Sequence, residues 1–313
     1  MVLDGLASSA REHIALLRAV HRCERDLYNP GEELNQAITV YVRSWLPALN
    51  NYDEAVGLEL PELDVAWVWH LHKTDPISYQ SDCIRWYGRI LDVPSGMSPF
   101  RYSSFLSSPK QLGNEKSPKM DSDFVDRIVL SAKNQSSFLW HVNWPEYEDG
   151  SFLEDSVHRY EMMLALMKKH PGTFIVPTYD IDNIWHTHLA FPCRYMEDCR
   201  RLAERVVNHD DKVGEDRSPS GFLTTSTAKT ELLWNSTFNS TWRKKGGMYR
   251  GEPPSWYWSD RQRASALPRE FPPRKQDHPI QDFTLGRFFT RHVVEVVGRA
   301  FGTDGMTEVR NDE

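Results

Sequence analysis

Two stretches of the chain, residues 61–85 and 177–201, are copies of one pattern in which His-x-His follows a tryptophan. PELDVAWVWHLHKTDPISYQSDCIR and PTYDIDNIWHTHLAFPCRYMEDCRR align without a gap at an offset of 116, and ten of the twenty-five positions are identical. Unrelated segments would share roughly one or two, so the chain contains an internal duplication. Each copy contributes one pair of histidines.

The residues around each pair predict a helical hairpin. Asp64 and Asp180 stand where a helix N-cap belongs, and Pro76 and Pro192 stand at the start of a following helix. Apolar residues at helical spacing predict further helices. These cover residues 6–23, 32–46 (ending at Pro47), 123–140, 151–169 and 228–243. We therefore expect a mainly α fold of duplicated helical repeats packed about an approximate two-fold axis.

Polar stretches divide the chain into three predicted segments. Residues 93–122 and 207–226 have the composition of linkers. The segments are a first helical repeat with its linker (1–122), a second repeat (123–227) and a C-terminal part packed on the same core (228–313). This last part is predicted to hold a helix, an irregular Pro/Trp-rich surface segment at 251–280, and a terminal helix whose apolar stripe runs from Leu285 to Ala300.

Composition narrows the classes of function. With 40% apolar residues, a 313-residue chain can bury a large core. The formal net charge of −7 gives no basic footprint for nucleic acid, and no apolar run reaches membrane-spanning length. The four cysteines lack zinc-type CxxC spacing. We expect a cytoplasmic protein with reduced thiols and with neither a nucleic-acid nor a membrane partner; its oligomeric state stays open.

Helical geometry separates the two histidines of each pair. At about 100° per residue, His72 shares a face with Val68 and Trp69, whereas His70 lies on the opposite side. His188 and His186 are divided in the same way. Both histidines of one pair could bind the same ion only if the helix ended near Trp69, or if other ligands joined them.

One copy adds an acid to its histidines. Asp182 and His186 stand four residues apart, a spacing that suits one divalent ion on a helix. The first copy has Ala66 in place of the acid, so a metal site would be asymmetric. We expect Zn or Fe on ligands drawn from the acid and the motif histidines. The candidates are Asp182, His186, His188, His70 and His72.

Two alternatives use the same residues without a metal. His72 and His188 could act as general acid and base with Tyr79 or Tyr195 as proton donor. They could also be buried structural histidines whose ring nitrogens are fully hydrogen bonded. A separate set, Glu154, His158 and Glu161, falls on one helical face, where it would form either a metal site or surface ion pairs.

Familiar catalytic motifs are missing from the sequence. It has no G-x-S-x-G nucleophile elbow, no phosphate-binding loop and no dinucleotide glycine pattern, so we predict no cofactor-binding residues. The leading hypothesis is an enzyme acting on a small organic molecule in a histidine-rich pocket between the repeats. The alternative is a non-catalytic scaffold or regulatory protein whose histidines are structural.

Long stretches of the chain resemble the GRDP-like family, the glycine-rich domain-containing proteins. They include DVAWVWHLHKTDPISYQSDCIRWYGRILD, FIVPTYDIDNIWHTHLAFPCRYMEDC and ELLWNSTFNSTWRKKGGMYRGEPP, and the likeness spans roughly residues 30–255. The resemblance implies a mostly helical duplicated region, a link to stress responses and no established activity. This chain has only 17 glycines and no glycine-rich tail, so RNA binding is not carried over.

Overall fold

The computed structural model describes residues 3–103, 118–209, 218 and 220–268. Over these residues the chain is helical, and its only β pairing is an isolated bridge between Glu62 and Ser103. The α-helices are α1 (Leu6–Arg22), α2 (Glu32–Val40), α3 (Leu46–Asn50), α4 (Leu63–Lys73), α5 (Pro76–Tyr87), α6 (Ser122–Gln135), α7 (Phe138–Val142), α8 (Gly150–Lys169), α9 (Tyr179–Leu189), α10 (Pro192–Ala203), α11 (Phe222–Phe238), α12 (Ser255–Ser259) and α13 (Arg261–Ser265). The mainly α prediction is confirmed.

The duplicated pattern folds as the same helical hairpin in both copies. The bounds of α4 and α5 become those of α9 and α10 when 116 is added to each residue number. The Asp75 side chain caps α5 by accepting a hydrogen bond from the Ser78 backbone at 3.0 Å. The approximate two-fold axis and the three-segment division stay predictions.

Helix α1 lies against both motif helices. Its apolar face buries Ala10, Ile14 and Leu17, and it contacts α4 of the first copy as well as α8 and α9 of the second. A histidine on this face, His13, is fully buried. The N-terminal helix thus brings a polar ring to the place where the two copies approach each other.

Pro47 does not end the second predicted helix. After α2 the chain makes a π-helical turn at Tyr41–Trp45 and continues as α3. Pro47 falls in the first turn of α3, where its missing N–H removes no necessary hydrogen bond. The expected stop is therefore wrong.

Asp64 and Asp180 occupy equivalent positions in the two copies, but they do not cap their helices. The N-cap positions of α4 and α9 are Glu62 and Thr178, two residues earlier. Both aspartates are buried in the first helical turn, where the N-terminal dipole favours a negative charge. Asp64 accepts a hydrogen bond from Arg25 at 2.7 Å and Asp180 one from Arg159 at 2.8 Å. The N-cap assignment is wrong because these carboxylates pair with arginine instead.

The segment after α11 closes over the start of α9. The Gly247 carbonyl accepts a hydrogen bond from the Tyr179 backbone at 2.7 Å. The Arg159 guanidinium, already paired with Asp180, also donates to the Trp242 carbonyl at 2.7 Å. The WRKKGG stretch therefore holds the buried ion pair in place.

Other predicted boundaries moved by a few residues. The helix expected at 123–140 is divided into α6 and α7, and that expected at 228–243 is α11, which begins and ends earlier. The irregular segment at 251–280 contains α12 and α13 within its described part. The stripe from Leu285 to Ala300 lies outside the described residues. None of the helices described is long and apolar enough to cross a membrane.

Candidate metal centre

His72 and His188 occupy equivalent hydrogen-bond networks. The Tyr41 hydroxyl donates to His72 Nδ1 at 2.9 Å, and His72 Nε2 lies 3.2 Å from an Asp82 carboxylate oxygen. In the second copy, Tyr160 takes the place of Tyr41 at 3.1 Å from His188 Nδ1, and Asp198 that of Asp82 at 3.2 Å from Nε2. Nδ1 of each ring is thus hydrogen bonded to a tyrosine hydroxyl, and Nε2 of each ring lies 3.2 Å from a carboxylate oxygen of its own copy.

The charges in these networks follow from burial. Burial lowers the pKa of His72 and His188, although the hydrogen bonds to Asp82 and Asp198 oppose the shift. The hydrogen bond from His188 lowers the pKa of Asp198. A neutral imidazole thus donates its Nε2–H to an ionised carboxylate, which is a stable arrangement for a buried histidine.

Tyr79 and Tyr195 are also engaged in matching contacts. Each hydroxyl accepts a hydrogen bond from the motif tryptophan, Trp69 at 3.4 Å or Trp185 at 3.0 Å. Each then donates to a backbone carbonyl, that of Leu91 at 2.8 Å or Val207 at 2.7 Å. Burial raises the pKa of both tyrosines well above their ordinary value.

Removing one tyrosine hydroxyl should show how much each hydrogen-bond network stabilises the fold. Tyr41→Phe leaves the buried Nδ1 of His72 without its donor, and Tyr160→Phe does the same to His188. We expect each change to lower the free energy of unfolding by about 1–3 kcal/mol. Urea denaturation measures the loss, with Tyr52→Phe at a half-buried position as the control. Losses below about 0.3 kcal/mol in both variants would contradict the structural role.

The other motif histidines face a common space. Helices α4 and α9 are regular through their histidines, so His70 and His186 lie opposite His72 and His188, and they meet His13 from α1. Ring centroids are separated by 4.8 Å for His13 and His70, 6.0 Å for His13 and His186, and 6.3 Å for His70 and His186. All three rings are buried. We call this set the three-histidine pocket.

A second set shares His186 with the first. His186 Nε2 and His209 Nε2 lie 2.9 Å apart, and Asp182 Oδ1 lies 3.6 Å from the former and 3.8 Å from the latter. That Asp182 oxygen is buried and has no hydrogen-bond partner. Ligand atoms around a tetrahedral Zn²⁺ are about 3.3 Å apart, given Zn–N bonds of about 2.0 Å. We call this set the carboxylate triad.

The hydrogen bonds around the rings fix where their protons lie. His209 Nδ1 donates to the Thr74 carbonyl at 3.1 Å, so its Nε2 carries a lone pair. His186 Nε2 must then donate to His209, which leaves a lone pair on His186 Nδ1. His13 Nδ1 donates to Asn183 Oδ1 at 3.1 Å, which leaves a lone pair on His13 Nε2. The lone pairs of His209 Nε2 and His13 Nε2 are available to a metal ion, whereas His186 binds one through Nε2 only after its proton moves to Nδ1.

Burial also keeps these rings neutral. It lowers the pKa of His13 to about 4, and it lowers the pKa of His70 and of His186 well below the ordinary value, with neighbouring histidines adding to the shift. No proton therefore competes with a metal ion near neutral pH.

A cleft of about 130 Å³ touches one residue of the carboxylate triad, His209. His209 forms part of its wall, and the rest comes from the corner between α4 and α5 and from α6. The polar lining residues are His72, Thr74, Asp75, Arg127, Ser131, Asn134, Asn208 and His209. The triad thus lies beside an opening, whereas the three-histidine pocket is enclosed by aromatic rings.

The remaining candidates lie elsewhere. The His158 side chain is 62% exposed and its Nδ1 is 4.0 Å from Glu161, which also accepts a hydrogen bond from the Leu3 backbone. This matches the surface ion-pair alternative rather than a convergent site. All four cysteines are free, and burial raises the pKa of Cys83 to about 11, so this thiol is not activated.

The sequence patterns did not select His13 of the three-histidine pocket or His209 of the carboxylate triad. His13 and His209 have Val129 and Val93 at the positions offset by 116, so comparison of the copies could not select them. The one available signal was a histidine on the apolar face of α1. His209 lay inside a stretch interpreted as a polar linker, 23 residues after His186.

Comparison with known proteins supports the family resemblance of the sequence. Residues 90–198 match the model of the GRDP-like family, described as glycine-rich domain-containing protein-like. Two proteins of Arabidopsis thaliana are similar over 80% of this chain: glycine-rich domain-containing protein 1, 34% identical over 277 residues, and glycine-rich domain-containing protein 2, 35% identical over 276 residues. The chain spans about a third of the length of each, 34% and 35% respectively. No solved structure matches it. The chain belongs to the GRDP-like family.

Proposed function

We propose that the chain is a metal-dependent enzyme whose carboxylate triad, Asp182, His186 and His209, binds one Zn²⁺ or Fe²⁺ ion beside the cleft. The observation that carries this proposal is the buried, unpartnered Asp182 oxygen facing two imidazole nitrogens at 3.6 and 3.8 Å. A carboxylate left without a partner costs free energy, and a divalent ion would remove that cost.

Two imidazoles and one carboxylate leave coordination positions free. Such a set on Zn²⁺ lowers the pKa of a bound water and generates a nucleophile, and on Fe²⁺ it is typical of sites that bind oxygen. The chain's own residues supply the rest. Thr74 fixes the His209 tautomer through its carbonyl, and the cleft admits a small organic molecule next to that ring.

Three of the residues expected from the sequence enter this proposal in different roles. Asp182 and His186 are proposed ligands, and His70 faces the other edge of the His186 ring. His72 and His188 are engaged with Tyr41 and Asp82, or Tyr160 and Asp198, which favours a structural role for them. Tyr79 and Tyr195 are held by their carbonyl partners, which leaves the metal-free acid–base alternative with less support.

Metal analysis of protein made without a histidine tag tests the proposal. We expect anaerobically loaded Fe²⁺ to bind and to form a nitric oxide adduct, detected by electron paramagnetic resonance, because coordination positions are open. Asp182→Asn combined with His209→Gln should lower the Fe²⁺ affinity at least tenfold and abolish the adduct. His158→Gln, at an exposed position, is the control.

Two outcomes would count against the triad. One is wild-type protein that takes up neither Zn²⁺ nor Fe²⁺ at micromolar concentrations. The other is an unchanged nitric oxide adduct in the Asp182→Asn and His209→Gln variant. Circular dichroism of the variant shows whether it retains its helices, so a folding defect is separable from the loss of a ligand.

A further inference from the structure

The three-histidine pocket contains a group of polar atoms that the carboxylate triad does not use. His13 Nε2, His70 Nε2 and His186 Nδ1 are each buried without a hydrogen-bond partner. One potential ligand atom from each residue lies within 4.8 Å of those of the other two. Buried polar atoms are almost always paired, so three unpaired nitrogens in one place indicate that something binds there.

Aromatic rings line the walls of the pocket. Phe138 stacks on His186 with ring centroids 4.5 Å apart, Trp67 stacks on His70 at 5.5 Å, and Phe100 lies 5.2 Å from His13. His13 Nε2 and His186 Nδ1 both offer lone pairs, which suit a metal ion.

We propose that the three-histidine pocket binds a second transition-metal ion, Zn²⁺ or Cu²⁺, on the opposite edge of the His186 ring from the carboxylate triad. Imidazole is a preferred ligand of both ions. The Asn183 side chain, by accepting the Nδ1 proton of His13, orients that ring as metal-bound histidines are usually oriented. The ligand atoms would have to close from as much as 4.8 Å to about 3.3 Å.

Proton balance connects the two positions. When an ion binds the triad, the His186 Nε2 proton moves to Nδ1 and the ring stays neutral. When a second ion binds Nδ1, that proton leaves to solvent and the ring bridges two ions as an imidazolate. Filling the second position therefore releases one proton per chain that filling the first does not.

The experiment measures bound ions per chain in untagged, metal-free protein dialysed against Zn²⁺. We expect two ions in the wild type, one after His13→Gln with His70→Gln, and one after Asp182→Asn with His209→Gln. His158→Gln serves as the control and should keep both. Circular dichroism and thermal unfolding of each variant establish that it is folded.

Other stoichiometries separate this inference from the proposed function. One ion in the wild type, lost with Asp182→Asn and His209→Gln but kept with His13→Gln and His70→Gln, overturns the second site and leaves the triad standing. One ion with the reverse pattern supports the pocket and contradicts the triad. No bound ion overturns both.

A spectroscopic measurement on the wild type avoids dependence on variant folding. Two Cu²⁺ ions joined through His186 should couple magnetically, so the doubly loaded protein should give less electron paramagnetic resonance signal than its copper content predicts. A signal that grows in proportion to copper up to two ions per chain overturns the bridged arrangement.

Discussion

Metal-free protein should lose at least about 2 kcal/mol of its free energy of unfolding between pH 7 and pH 5. His13, His70 and His186 are buried in the folded chain, and burial holds their pKa at about 4 or well below the ordinary value. In the unfolded chain each titrates near 6.5, so below that pH the unfolded state binds more protons and is favoured. His13, with its pKa at about 4, contributes about 2 kcal/mol over this range, and His70 and His186 act in the same direction.

Stability falls with decreasing pH because the pKa values of these buried imidazoles are lower in the folded chain than in the unfolded chain. Stability is fully present above pH 6.5, where both states are neutral, and it falls as the pH decreases. Neighbouring groups act in the same direction as burial: His13, Lys73 and His209 further lower the pKa of His70, and His209, His13 and His70 that of His186. The acid that faces these rings is Asp182, whose Oδ1 lies 3.6 Å from His186 Nε2.

Urea denaturation at pH 7, 6 and 5 in the presence of a chelator measures the loss. His13→Gln combined with His70→Gln removes two of the three groups and should reduce the loss by about 2 kcal/mol or more, whereas His158→Gln should leave it unchanged. A wild-type loss below about 2 kcal/mol would show that the rings share protons when folded, and it would contradict the neutral arrangement described above.

The second large effect is expected from one methyl group. A Cβ on Gly247 would lie 2.1 Å from Asp180 Oδ1 and 2.8 Å from its Cγ. The carboxylate has no free direction in which to move, because it is fully buried and paired with Arg159. The hydrogen bond from the Tyr179 backbone to the Gly247 carbonyl also fixes the distance between the two segments.

Gly247→Ala should therefore lower the free energy of unfolding by about 3–5 kcal/mol, the range observed when a buried ion pair is broken. Differential scanning calorimetry should show a decrease in Tm on the order of 10 °C. The matched control is Gly172→Ala, where an added Cβ meets nothing within 4 Å and the expected change stays below about 0.5 kcal/mol. Equal Tm values for the two variants would mean that the segment after α11 does not press on α9.

The sequence predicted the local elements well because duplication and helical periodicity are local signals. The hairpins of both copies, the cap at Asp75 and the separation of His70 from His72 all follow from residue spacing. The arginine partners of Asp64 and Asp180 could not be predicted, because Arg25 is 39 residues away from the first and Arg159 is 21 from the second.

The candidate site was also harder to predict, because its members are distant from one another in the sequence. Two members, Asp182 and His186, share one helix and were selected by their spacing. His13 comes from α1 and His209 from the stretch after α10, and only tertiary packing brings them together. The duplicated motif drew attention to His72 and His188 because they occupy equivalent positions in the two copies. Structural residues such as Asp82 and Asp198 are equivalent in the same way, so this signal does not distinguish function from structure.

Because α1 supplies His13, a fragment without this helix cannot contain the complete three-histidine pocket. The family-matched region, residues 90–198, holds Asp182 and His186 but excludes His13, His70 and His209. It also excludes Gly247 and Trp242, which secure Asp180 and Arg159. A fragment cut to that region would carry exposed apolar helix faces, two of the three triad residues and one of the three pocket histidines. Any minimal functional unit must extend from the first helix to the WRKKGG segment.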